Sequence, residues 1–215
     1  MLWIERFETH YRCFICEGRL KVDGSCGNPL CNRTVEERGW RYIWAVSTRT
    51  GPLKRAIDLY KYEGKHGWAY IFGRVLVGHL RAQPDGFRAA YGLIVPMPTF
   101  VGKDGRARDH TAEIIERAQV EDPSWPFQLD VLAKTAASTR LADATSFRQR
   151  AEIAETEIRP AIQVLDPAAV VGEDVLVFDD VFTGGLTLRE VAYKLRAAGA
   201  RSVDGIVLAR QPFRG

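Results

Sequence analysis

The residues best suited to chemistry lie between 175 and 188, in Val175-Leu-Val-Phe-Asp-Asp-Val-Phe-Thr-Gly-Gly-Leu-Thr-Leu188. Gly184 and Gly185 permit positive φ and close backbone approach, so successive N–H groups can form a concave nest around a phosphate. A helix starting at Leu186 would add unpaired N–H groups and a favourable dipole, and Thr183 and Thr187 can add hydroxyls. Asp179 and Asp180 are poor partners for phosphate but good acceptors for vicinal hydroxyls or hydrated Mg²⁺. A phosphate cradle beside two hydroxyl acceptors describes a ribose 5-phosphate. The segment has neither the Gly-x4-Gly-Lys-Ser/Thr of a P-loop nor the Gly-x-Gly-x-x-Gly of a dinucleotide site.

A second cluster is chemically distinct. All four cysteines fall in Cys13-x2-Cys16-x9-Cys26-x4-Cys31 among turn-forming Gly18, Gly24, Gly27, Asn28 and Pro29. Two thiolate pairs fit tetrahedral Zn²⁺, and a four-thiolate shell leaves no open position, so the metal would be structural. The histidines form no ligand set with these cysteines. His110 alone sits in a candidate active-site loop, His66 and His79 read as ordinary helix residues, and His10 has no assignable role.

Elements must position both clusters. The 215 residues, 46% hydrophobic, suffice for one core and a small appendage. The boundaries predicted are a cysteine module over 1–38 and an α/β domain over 39–215. Trp40–Val46 suits a strand, and Leu53 onward gives two helices divided near Gly64. Gly92–Pro98 reads as a buried strand stopped by two prolines, and Asp109–Gln119 as a helix. Leu129–Ala133 reads as a short strand, followed by a mobile loop in the first half of Lys134–Arg150. Strand 174–178, helix 186–198 and strand 202–208 make a βαβ unit, so ligands should sit outside the carboxyl ends of parallel strands.

A net charge of +3 permits phosphate ligands without arguing for nucleic acid alone. No apolar run approaches the ~20 residues of a membrane span, and the acidic start of the chain is unlike a secretory signal, which predicts a cytoplasmic protein. Trp40, Trp44 and Trp68 read as core.

Four hydrophobics, two acids, two hydrophobics and Thr-x-Gly-x-Thr resemble the phosphoribosyl pyrophosphate (PRPP) motif of type I phosphoribosyltransferases. Within them the chain resembles the ComF-like branch, associated with competence for DNA uptake, through the cysteine knuckle, Ile57-x3-Lys61-Tyr62-x-Gly64, Val95-Pro-Met-Pro98 and the PRPP motif. Arg106-Ala-Arg-Asp-His110 stands where similar proteins carry an Arg-Gly-Phe-Asn/Asp-Gln type sequence. Arg106 and Asp109 match; Ala107, Gly184 and Leu186 depart from the pattern.

The resemblance implies a five-stranded parallel core, with PRPP bound by Asp179, Asp180, Thr183, Gly184, Gly185, Leu186 and Thr187. A loop near 98–110, carrying Lys103, Arg106, Arg108 and Asp109, would meet the pyrophosphate, and Lys134–Arg150, with Arg140, Arg148 and Arg150, takes the place of the substrate flap. Lys61 can reach the anion or form a solvated helix face. Asp179 and Asp180 would be catalytic, facing positive charge on the ribose while Mg²⁺ stabilises pyrophosphate. Two functions follow: phosphoribosyl transfer to an unidentified acceptor, or a weakly or non-catalytic PRPP-binding accessory to DNA uptake with single-stranded DNA as partner. Cys13 is internal and paired, which argues against glutamine hydrolysis.

Overall fold

The computed structural model describes residues 11–100 and 109–212. Its centre is a parallel sheet of four strands, β1 (Ile43–Thr48), β2 (Leu93–Pro96), β5 (Asp174–Phe182) and β6 (Ser202–Arg210), ordered β1-β6-β5-β2. Beyond β2, Phe127 makes a single parallel bridge to Ile94, flanked by bonds from the Ile94 N–H to Pro126 and from the Gln128 N–H to Ile94. The expected fifth strand is thus reduced to one bridge; Pro126, which has no N–H, stands next to it.

Helices cover both faces, which is why the strands read as continuous apolar runs. On one face pack α2 (Gly51–Tyr62), α3 (Trp68–Arg81) and α5 (His110–Glu121), reached by Ile94, Leu176, Phe178, Ile206 and Leu208. The opposite side chains, including Leu93, Val95, Val175, Val177, Val203 and Val207, meet α8 (Leu186–Ala197). The short helices α1 (Val35–Arg38) and α4 (Phe87–Ala90) lead into β1 and β2.

Sequence periodicity located these elements to within a few residues but missed the region between them. Leu129–Ala133 was expected to be a strand; the structure places β3 at Leu132–Lys134, antiparallel to β4 (Ile162–Val164) in a separate two-stranded sheet. Between these strands run α6 (Phe147–Ile153), a π-helical turn (Ala154–Ile158) and α7 (Arg159–Ala161). Residues 135–146 hold local contacts, with Lys134 Nζ donating to Ser138 Oγ at 2.6 Å and the Thr139 N–H to Glu157 at 2.7 Å. No described helix is long and apolar enough to cross a membrane.

The cysteine-bearing segment is fastened to the edge of β1. The Ile43 N–H donates to the Ile15 carbonyl at 2.8 Å and the Ala45 N–H to Glu17 Oε2 at 3.0 Å. Cys13, Cys16, Leu30 and Cys31 share one apolar cluster with the α8 face of the sheet. The appendage and the α/β domain therefore have a common core.

Candidate functional site

β5 is longer than its neighbour. β2 pairs with it only as far as Pro96 opposite Phe178, whereas β6 accompanies it to Phe182 opposite Arg210. The sequence reading ended this strand at residue 178, so the acids lie within β5 and not in the loop after it. Met97 gives one last bond, N–H to the Phe178 carbonyl at 2.7 Å, and Pro98 then has no donor to continue the ladder. Asp179 and Asp180 consequently sit where β5 has lost one partner, in the crevice outside the carboxyl ends of the strands.

Two helices border this crevice. Asp109 caps α5, accepting from the Thr111 and Ala112 N–H groups at 3.1 and 3.0 Å, while its other oxygen accepts from the Thr99 N–H at 3.1 Å. Thr111 Oγ1 donates to the Met97 carbonyl at 2.6 Å. Asp109 thereby holds the Pro96–Thr99 turn against α5. Lys103, Arg106, Ala107 and Arg108 lie outside the described residues.

The other border is the last turn of α2. Lys61 Nζ donates to Asp180 Oδ1 at 3.0 Å and lies 2.8 Å from Oδ2, with the Asp180 side chain only 4% exposed. Burial works against the Lys61 charge, but Asp180 and Asp179 outweigh it and raise the ammonium pKa. The solvated-face reading of Lys61 is therefore replaced by an ion pair inside the site. Its spacing of four from buried Ile57 places both on one helix face, a signal present in the sequence.

Asp179 is half-buried and accepts the Asp180 N–H at 2.8 Å. Burial, reinforced by the charge of Asp180 and opposed by Lys61, pushes its carboxyl up to about 8. Nearby, Tyr60 Oη lies 2.9 Å from the His110 carbonyl and 3.0 Å from Glu113 Oε2. His66, in the turn before α3 and not in a helix, places Nδ1 3.6 Å from the same carboxylate oxygen. Burial lowers the pKa of His110, favouring neutral imidazole. His79 is a half-buried residue of α3 whose burial depresses it to about 4.

The segment after β5 supplies the backbone cradle. Gly185 has φ +84°, and a Cβ there would lie 2.8 Å from the Phe182 ring and 2.9 Å from Trp40. Gly184 does not take positive φ. No side chain caps α8, whose first carbonyl contact is the Arg189 N–H to Gly185 at 2.9 Å, so the earlier N–H groups remain for a ligand. Leu186 buries its side chain in the core and offers only its backbone; Thr187 is half-buried and Thr183 exposed. Gly185→Ala should cost about 2 kcal/mol through left-handed strain and overpacking, read by urea denaturation.

The cysteine cluster assembles as its spacing predicted. The four Sγ atoms lie within 4.8 Å of one another, with Cys16 and Cys26 3.7 Å apart. A tetrahedral zinc with Zn–S near 2.3 Å requires S···S separations of about 3.8 Å, so the four thiols can hold such an ion. Asn28 donates its N–H to Cys26 Sγ at 3.4 Å, the kind of outer contact that orients a thiolate. Hydrogen bonds from Cys13, Cys26 and Cys31 drive the Cys16 thiol far below its ordinary range.

Arg140 and Arg148 are exposed and Arg150 is half-buried. Of the tryptophans read as core, Trp40 is fully buried, whereas Trp44 and Trp68 are half-buried, Trp44 meeting Phe87 edge-on at 5.2 Å and Trp68 stacking on Phe72 at 5.6 Å.

No family model matches the chain, and no curated protein is similar to it. Among solved structures it is similar to a hypoxanthine phosphoribosyltransferase from Staphylococcus aureus, at 14% identity and a TM-score of 0.34, over 70% of this chain and 65% of that one.

Proposed function

We propose that the crevice binds PRPP with Mg²⁺ and that the chain transfers its phosphoribosyl group to an acceptor. The observation that carries this is the pair Asp179–Asp180, left without a neighbour strand where β2 stops and followed within a few residues by the uncapped start of α8. The cradle of N–H groups suits a 5-phosphate, and the carboxylates suit ribose hydroxyls or hydrated Mg²⁺. The resemblance of the PRPP motif and its companions to ComF-like proteins supports the same assignment.

In the reaction, an acceptor lone pair forms a bond to the anomeric carbon while the carbon–oxygen bond to pyrophosphate breaks and its electron pair leaves with pyrophosphate. Asp179 and Asp180 hold the ribose and face the positive character that develops on it. Lys103 and Arg106 are assigned to the departing pyrophosphate from the sequence.

Calorimetric titration of PRPP and Mg²⁺ into wild-type protein should show binding that disappears in Asp179→Asn/Asp180→Asn. Absence of wild-type binding, or equal binding by the double variant, overturns the proposal.

A further inference from the structure

Arg210 joins the cysteine cluster to the phosphate cradle. It ends β6 with only 2% of its surface exposed. Toward the cluster, Nε donates to the Cys16 carbonyl at 3.1 Å and Nη2 lies 3.8 Å from Cys16 Sγ. Toward the cradle, Nη1 donates to the Thr183 carbonyl at 2.9 Å and lies 3.4 Å from that of Phe182, with a further contact to Gln211. Its guanidinium carbon stands 5.0 Å from the centre of the Phe182 ring.

That ring transmits position to the cradle. Phe182 meets Trp40 edge-on at 5.6 Å, and the two rings enclose Gly185 so closely that even a methyl group would collide with both. One rigid, planar donor thus fixes the backbone of a metal-ligating residue and of the two residues that lead into the phosphate nest. The path from Cys16 to Gly185 runs through the buried side chains of Arg210 and Phe182.

We propose that metal occupancy of the four-cysteine site sets the affinity of the phosphate cradle, with Arg210 as the positioning residue that couples them; this rests on the PRPP reading of the crevice. With zinc bound, four thiolates hold Cys16, and Arg210 has a fixed carbonyl and a negatively charged sulfur to work against. Without zinc the cluster loses its central bond set, Cys16 can move, and the carbonyls of Phe182 and Thr183 lose a fixed donor. The N–H groups at the start of α8 then have to be ordered by the ligand itself, which weakens binding. Because coupling between two binding equilibria is reciprocal, PRPP must tighten zinc by the same factor.

Gly18 offers a way to disturb the link at Arg210 while all four cysteines are kept. It does not take positive φ, and an added Cβ would lie 3.1 Å from Arg210 Nη2 and 3.3 Å from Cys16 Sγ. Gly18→Ala should retain one zinc per chain by elemental analysis yet bind PRPP with Mg²⁺ about tenfold more weakly in calorimetry. Zinc-stripped wild-type protein, kept reduced and shown by circular dichroism to be folded, should lose affinity at least tenfold and recover it when zinc is returned. A chromophoric chelator competition should show the matching tightening of zinc when PRPP is added.

Wild-type affinity in zinc-replete Gly18→Ala overturns the coupling, as does wild-type affinity in folded, zinc-free protein. Should stripping unfold the chain, Gly18→Ala decides alone. Failure of zinc-replete wild-type protein to bind PRPP removes the underlying assignment and the coupling together, which separates that failure from the loss of coupling alone.

Discussion

Asp179→Asn should make the free protein more stable, by about 3 kcal/mol at pH 8, while removing the PRPP binding proposed for the crevice. The Asp179 carboxyl is pushed up to about 8 by burial and by Asp180, far above the ordinary carboxylate range. Folding therefore raises its pKa. Below about pH 4 the group is neutral in both folded and unfolded chains and costs nothing. Between pH 4 and 8 the unfolded chain releases the proton while the folded chain resists, so stability falls through that window and levels off above it. A shift of this size has a ceiling of roughly 5–6 kcal/mol; the carboxyl is partly open to the crevice, and solvent screening reduces the expected gain to about 3.

Asparagine escapes the penalty and keeps an oxygen to accept the Asp180 N–H. For a chain of this length the gain corresponds to roughly 6–12 °C in melting temperature. The difference between variant and wild type should be near zero at pH 4 and rise to a plateau at pH 8, followed by thermal melts across that range. A pH-independent difference would show that the charge of Asp179 is not what the fold resists. Stability surrendered in this way is the usual cost of burying an ionisable group at a functional position.

The candidate phosphate cradle could be proposed from the sequence because its physics is local. Adjacent acids, two glycines and a helix start reveal their chemistry through residue type and order, and the cysteine spacing alone brought four sulfurs together. The alternation of Val175, Leu176, Val177 and Phe178 between the two faces of the sheet likewise follows from strand geometry. What escaped was long-range. Nothing near Arg210 in the sequence announces that it will lie beside Cys16, and the docking of Glu17 onto Ala45 depends on which strand forms the sheet edge. The same holds for β4, whose three residues acquire a partner only when β3 arrives from thirty positions earlier. Asp109 shows a third kind of limit: resemblance marked it for ligand binding, and the structure shows its carboxylate engaged in capping α5 and fixing the turn after β2.

Lys61→Met should destabilise the protein by about 3–5 kcal/mol, and adding Asp180→Asn to it should restore most of that loss. The Asp180 side chain is 4% exposed, and its carboxylate is served by the Lys61 ammonium at 2.8 and 3.0 Å. Methionine keeps the length of the side chain and its packing along α2 but removes the charge, leaving a buried carboxylate without its cation. The loss extends to Asp179, because Lys61 also opposes the upward push on that carboxyl. Two adjacent acids would then share a strand end without the Lys61 cation that serves both.

Asp180→Asn removes the stranded charge and with it the repulsion felt by Asp179, so the double variant should lie within about 1 kcal/mol of wild type. Urea denaturation at pH 7 of the wild type, both single variants and the double variant completes the cycle, and the coupling it yields isolates the pair from other effects of each substitution. A large coupling makes Lys61 an integral cation of the site, held where ribose hydroxyls or hydrated Mg²⁺ would have to displace or share it. Additive single effects would return Lys61 to the solvated helix face and leave Asp180 stabilised by other groups.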